Sequence, residues 1–133
     1  MSEEFKVINP YNEKVTTSFN MEDFKSVEKK IRKLKSGKKE LSLLSTFDRA
    51  NILNKLADLI EKNQNELSAL IVSEIGKTIQ DAKVEMARSC ATLRVSAIEC
   101  TQLNGEVISS DHFGMTQNKR GIVEWKPVGL VLA

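Results

Sequence analysis

One histidine, two cysteines and a net charge of only +2 are what this 133-residue sequence has least of, and each scarcity removes a class of function. His112, flanked by Ser, Asp and Gly, has no second histidine or close cysteine cluster to complete a metal set, and it reads as an exposed loop residue. Cys90 and Cys100 fall in one predicted helix, ~15 Å apart along its axis, which is beyond the reach of a disulfide. Reduced, buried thiols are expected, because nothing near either supplies a base that would make it a nucleophile. Twenty Lys and Arg nearly balance eighteen Asp and Glu, so global electrostatics single out neither nucleic acid nor a membrane surface as partner. No apolar run approaches the roughly 18 residues that span a bilayer. The opening "MSEEFKV" has neither the basic start nor the apolar core of a leader, so a cytoplasmic location is the expectation. A glycine-rich phosphate loop is missing too, since "GKKE" at Gly37 and "GKT" at Gly76 both lack the upstream glycine.

What is present has the balance of a globular domain, with 41% apolar and 29% charged residues. "FKVINPYNEKVTTSF" places β formers on both sides of an Asn/Pro turn and predicts a hairpin. Asn20 is the expected cap of a first helix with apolar positions Phe24, Val27, Ile31 and Leu34, ended by Ser36 and Gly37. A second helix is predicted from Ser45 or Thr46, carrying Ile52, Leu53, Leu56, Ala57, Leu59 and Ile60 on a wide apolar face. It breaks near Asn63, where Asn63 and Glu66 have the spacing of a capping box for a third helix. That helix holds Leu67, Leu70, Ile71 and Ile75, and Gly76 sits where a left-handed residue would end it. Thr78 with Asp81 then caps a fourth helix whose stripe is Ala82, Met86, Cys90, Leu93, Ala97 and Cys100, with Gly105 beyond its end.

After Gly105 the chain turns to β formers. "MTQNKRGIVEW" reads as one long strand or two shorter ones around Gly121. Val128 to Ala133 is a continuous apolar run, the pattern of a strand buried on both faces in a parallel sheet. Such a strand needs neighbouring strands and covering helices, and the sequence contains no later βαβ unit to supply them.

Other candidate sites have bland readings. Glu3 and Glu4 lie in the N-terminal tail, and Glu74 and Glu85 flank Lys77 as a salt-bridged corner rather than an acid and a base. The basic run from Lys25 to Lys39 has no interleaved aromatic on its polar face and reads as a solvated helix face, with nucleic-acid binding the weaker alternative.

Three stretches read together carry a resemblance: "INPYNEKV" at Ile8 to Val15, "FDRANILNKLADLIEKNQNELSALIVSEIGKTIQDAKVEM" at Phe47 to Met86, and "GIVEWKPVGLVLA" at Gly121 to Ala133. In order, they resemble the N-terminal part of the NAD(P)-dependent aldehyde dehydrogenase superfamily. The most specific features are Arg49 with Leu53, the Glu74, Gly76, Lys77 corner with Glu85 after it, and Pro-Val-Gly before an apolar strand. The resemblance implies an α/β fold of which this chain is an N-terminal fragment, mainly helical by itself, with an N-terminal β-hairpin and a C-terminal β arm. Residues 1–113 would be the hairpin and helices of the cofactor-binding domain, 114–126 an extended oligomerisation arm, and 127–133 the first strand of the Rossmann-like core, cut short. The family's oxyanion-binding asparagine, cofactor-binding segments, general-base glutamate and nucleophilic cysteine all lie further on, so no catalytic, cofactor or metal residue is assigned here. Neither Cys90 nor Cys100 has the nucleophile's surroundings.

The resemblance further implies a parent that oxidises an aldehyde to a carboxylate with NAD or NADP, through a thiohemiacetal and a thioester. The fragment itself is expected to be inactive, to hold no cofactor, and to have neither nucleic acid nor a membrane as partner. Homo-oligomerisation is expected through Ile122, Val123 and Trp125, whose strand would seek cover and pairing. The alternative is a stand-alone helical assembly module that pairs through the same β arm. Helices selected to cover a sheet are exposed without it, so self-association of the isolated chain is expected.

Overall fold

The computed structural model describes residues 4–109, 114 and 119–131. Chain order is β1 (Glu4–Ile8), β2 (Val15–Asn20), α1 (Phe24–Leu43), α2 (Thr46–Lys62), α3 (Gln64–Ile75), α4 (Ile79–Thr101), β3 (Glu106–Ser109) and β4 (Arg120–Val123). The strands form two separate antiparallel pairs, β1 with β2 and β3 with β4, and the core lies among the helices.

The N-terminal hairpin forms where its turn residues predict it. Asn9 Oδ1 accepts hydrogen bonds from Tyr11 N at 2.9 Å and Asn12 N at 3.4 Å, the local bonding that makes asparagine a turn former. Glu13 completes the reversal at φ 58°. The register runs Glu4↔Asn20 to Val7↔Thr17 and then shifts to Ile8↔Val15 at a bulge. Two contacts attach the hairpin to the helices: Thr16 Oγ1 donates to Ser73 O at 3.3 Å, and the Pro10 ring lies over Gly76.

Two helix boundaries, at Gly76 and Thr78, follow the predicted caps, and α2 begins where its start was expected. Ser45 Oγ accepts from Asp48 N at 3.1 Å while Asp48 Oδ2 accepts from Ser45 N at 3.3 Å, a reciprocal box that starts α2. Thr78 Oγ1 accepts from Asp81 N at 3.1 Å and starts α4. Gly76, at φ 71°, ends α3 in the left-handed conformation.

Three local expectations are corrected. Asn20 is the last residue of β2, paired with Glu4, so it does not cap α1; Asp23 does, its Oδ1 accepting from Ser26 N at 2.7 Å. Nor does α1 stop at Gly37. A glycine costs a helix about 1 kcal/mol but breaks it only where a stop conformation is demanded, and the helix continues to Leu43, adding Leu41 to its apolar residues. Asn63 does not cap α3 with its side chain: α2 and α3 are separated by that one residue, and its Nδ2 turns back to donate to Leu59 O at 2.7 Å.

The packing centre is the antiparallel contact between α2 and α4, with α3 packed on α4. Four bonds trace it along the two helices: Cys100 Sγ to Thr46 O at 3.7 Å, Cys90 Sγ to Ala57 O at 3.5 Å, and Arg94 to Asp58 at 3.0 Å and to Glu61 at 2.6 Å. The buried residues are small: Ala50, Ala57, Ala82, Cys90 and Ala97, with Ser68. Small side chains let two helix backbones approach closely, which is why an alanine rather than a leucine ends up fully enclosed here. The outcome matches the predicted α4 stripe at Ala82, Cys90 and Ala97, while Met86, Leu93 and Cys100 are half-buried at its edges.

Helix α1 stands apart, with no buried residue. Phe24 is 84% exposed and Leu34 59%, so its apolar stripe is only partly covered among the described residues. The C-terminal apolar run likewise departs from its expected form. Residues 124–131 pair with neither sheet, and Val128 is 91% exposed. A strand of that composition needs flanking strands, and among the described residues it pairs with neither two-stranded sheet.

Two outcomes test this packing. Ala57→Leu should overfill the α2–α4 contact and lower unfolding free energy by about 1–3 kcal/mol, measured by urea denaturation against Leu56→Ala at a half-exposed neighbour. Gly76→Ala places a Cβ 2.7 Å from Pro10 Cγ at a left-handed φ. It should lose about 1–2 kcal/mol from backbone strain alone, and a Gly76→Ala/Pro10→Ala double variant should recover only what the collision adds.

Candidate functional site

The groups that sequence reasoning sets aside as chemistry are occupied structurally. Cys90 is buried and both thiols point at helix carbonyls, as protonated donors do. Lys77 pairs with Glu85 across the α3–α4 corner, and the Thr78 hydroxyl is the α4 cap. The "GKT" stretch therefore closes a helix corner and presents no free phosphate cradle. Among the described residues no three His, Cys, Asp or Glu side chains gather into a metal-binding group. His112 lies outside the described residues.

The basic face of α1 is open to solvent and partly compensated. Lys30 pairs with Glu22, and Arg32 with Glu28 at 3.0 Å. The Lys30 ammonium, with help from the Ser26 hydroxyl, holds the Glu22 carboxyl below its usual range. Arg94, bonded to Asp58 and Glu61, is held still more firmly protonated than an ordinary guanidinium. These are charge pairs on the surface of a helical scaffold.

What remains is exposed apolar surface. In the β3–β4 pair, Val107 stands opposite Ile122, while Ile108 and Val123 share the other face through the pairings Ile108↔Gly121 and Glu106↔Val123. Both faces of this ribbon thus carry aliphatic side chains, unlike a hairpin with one face on a core and the other in water. Ile122 is 72% exposed, Val123 42% and Trp125, just past β4, 71%. The structure thus brings Ile122 and Val123 onto one short strand, on opposite faces, with Trp125 beyond. Gly105 lets the end of β4 approach the chain entering β3, because a Cβ there would lie 2.3 Å from Val123 O. The stretch before residue 119, apart from 114, falls outside the described residues, so the predicted arm is seen only in its second half.

Two grooves were not legible in the sequence. One, of about 630 Å³, runs between α2 and α4 over Leu56, Ile60, Met86 and Leu93, with Arg88 and Thr92 at its rim. The other, of about 640 Å³, lies between α1 and the C-terminal segment, over Leu34, Leu41 and Leu130 with Lys33 and Lys38 beside them. Helical periodicity marks each stripe as apolar, but only the tertiary arrangement leaves these stripes half-covered.

Comparison with known proteins gives the scaffold its context. A sequence profile described as the aldehyde dehydrogenase family matches residues 1–133. The sulfoacetaldehyde dehydrogenase of Neptuniibacter caesariensis is 35% identical over 132 residues, covering 99% of this chain and 29% of the relative. The backbone superposes on the NADP-dependent glyceraldehyde-3-phosphate dehydrogenase of Bacillus halodurans, solved with NADP, with a TM-score of 0.88 at 26% identity over 96% of this chain and 27% of that one. The lactaldehyde dehydrogenase of Escherichia coli gives 0.78 at 31% identity over 86% of this chain and 24% of that one. The chain thus spans under a third of the length of these relatives, and within that span it matches them from hairpin to C-terminal segment. The hairpin, the four helices and the β ribbon belong to the aldehyde dehydrogenase family.

Proposed function

We propose that this chain is the opening portion of an NAD(P)-dependent dehydrogenase that oxidises a small aldehyde to its carboxylate. The observation that carries this reading is the match of the whole chain, in sequence and in backbone, to aldehyde dehydrogenases, one of them solved with NADP. The names of the relatives, among them sulfoacetaldehyde and 3-sulfolactaldehyde dehydrogenases, favour a short aldehyde bearing an anionic group. In this reading residues 1–113 form the scaffold of the cofactor domain, 114–126 the oligomerisation arm, and 127–133 the entry to the Rossmann-like core.

The chemistry such a parent performs requires a nucleophile, an oxyanion site and a dinucleotide site. In this reading the 133-residue chain alone is a scaffold without turnover. Calorimetric titration with NAD and with NADP should give no saturable heat, and no reduced nicotinamide should form with an aldehyde. A stoichiometric binding isotherm would overturn the scaffold reading.

The exposed β ribbon favours a second role, self-assembly, which the parent and the isolated chain would share. Strands can add at the edges of this ribbon, which is two-stranded among the described residues, and Ile122, Val123 and Trp125 gain cover when they do. Multi-angle light scattering should show a mass that rises with concentration for the chain as it stands. Trp125→Ala combined with Ile122→Thr should shift that association to at least about tenfold higher concentration, whereas an unchanged mass profile would exclude the ribbon as the interface.

A further inference from the structure

Charge on this chain is far less even than its near balance suggests. Helix α1 holds eight of the twenty cations against only Glu28 and Glu40, so it carries +6 in a chain of net +2, and the remainder stands at −4. Overall balance is the reason composition points to no membrane partner, and it conceals this concentration. Lys25, Lys29, Arg32, Ser36, Lys39 and Leu43 recur at spacings of four and three, so they share one side of the helix, turned away from the apolar stripe. All six are exposed, Leu43 at 78%. Lys25, Lys29 and Lys39, with Lys33 beside them, enter no ion pair among the described residues, and only Arg32 is compensated, by Glu28 at 3.0 Å. The 20-residue helix is about 30 Å long, which makes this an extended cationic edge. Seven of its eight cations are lysines, point charges without the planar fork that arginine brings to phosphate and base recognition. No aromatic side chain stands in the row to stack a base. An exposed leucine at the end of a lysine row fits an anionic lipid surface instead, where lysines gather acidic headgroups and an aliphatic tip enters between them. Among the described residues no helix is long and apolar enough to cross a membrane, so such a contact is with the surface alone.

We propose that the lysine-lined side of α1 is a peripheral docking surface for a bilayer that carries acidic headgroups. The lysines supply the attraction, each contributing about fivefold to partitioning when brought within a Debye length of the surface. Repulsion of the net-negative remainder orients the chain with α1 inward, and Leu43 anchors the helix end. Because the row lies away from the apolar stripe, this surface stays available whatever covers that stripe. It draws on neither the dehydrogenase reading nor the β ribbon.

The test is flotation of the 133-residue chain with phosphatidylcholine vesicles that contain or lack phosphatidylserine, at low and at high salt. Flotation separates lipid binding from self-association, because aggregated protein without lipid does not rise. The expected result is recovery with the phosphatidylserine vesicles alone, lost as salt increases. Lys25→Gln/Lys29→Gln/Lys33→Gln should cut partitioning about a hundredfold. Lys55→Gln/Lys62→Gln/Lys83→Gln, which removes the same charge from α2 and α4, should leave it nearly unchanged. Leu43→Ser should lower it about tenfold. Glutamine sustains a helix about as well as lysine, so folding is kept, and circular dichroism checks it. The proposal falls if phosphatidylserine vesicles fail to float the chain at low salt, or if Leu43→Ser floats as before. It falls also if both lysine triples weaken recovery equally, since the attraction is then global. Inorganic phosphate that strips the chain from vesicles at matched ionic strength would reveal a small-anion site, and single-stranded RNA bound more tightly than the vesicles would reveal a nucleic-acid face; either result overturns the lipid assignment.

Discussion

The close contact of α2 with α4 is the constraint on which the rest of the molecule depends. Ala57 and Ala82 are fully enclosed and Ala97 nearly so, which requires helix backbones near enough that no larger side chain fits. Dispersion and exclusion of water over that seam supply the stabilisation, and the Cys90 and Cys100 thiols complete it by donating to carbonyls of the facing helix. Arg94 adds a bidentate charge clamp at the rim, with a modest contribution because all three partners are largely exposed.

The N-terminal hairpin is positioned through the corner that joins α3 to α4. Gly76 turns the chain, Thr78 restarts it, and the Lys77–Glu85 pair spans the bend. Because Gly76 has no side chain, Pro10 can sit on it, and the hairpin is thereby attached to a helix end rather than to a helix face. One residue type at one position thus decides both where α3 ends and where the hairpin docks. A stretch that looks like a fragment of a nucleotide loop is, in the folded chain, a hinge of the scaffold.

The periphery obeys a different rule. Helix α1, residues 124–131 and the β3–β4 ribbon are all rich in aliphatic side chains and all exposed, far beyond the scattered apolar residues of an ordinary surface. Their common feature is incompleteness of partners. A helix stripe, a strand-like run and a two-faced ribbon each leave apolar surface in solvent, and the charge distribution, nearly balanced overall, does nothing to compensate.

Much of this was legible from residues because it is governed locally. Ser45 with Asp48, Thr78 with Asp81, the Asn9 turn and the left-handed Gly76 depend on side chains bonding their own neighbours, so spacing alone places them. The missed boundaries have the same origin seen from the other side: Asn20 was drawn into a strand pair and Asn63 into the preceding helix, choices that depend on which backbone groups remain unpaired nearby. The sequence by itself determined the helices, their apolar stripes, the reduced thiols and the resemblance to the aldehyde dehydrogenases. Tertiary structure alone decided which stripe is closed and which is bare, because closure depends on the distance between two backbones. That is why alanines seal the α2–α4 seam while the larger side chains of α1 remain in solvent.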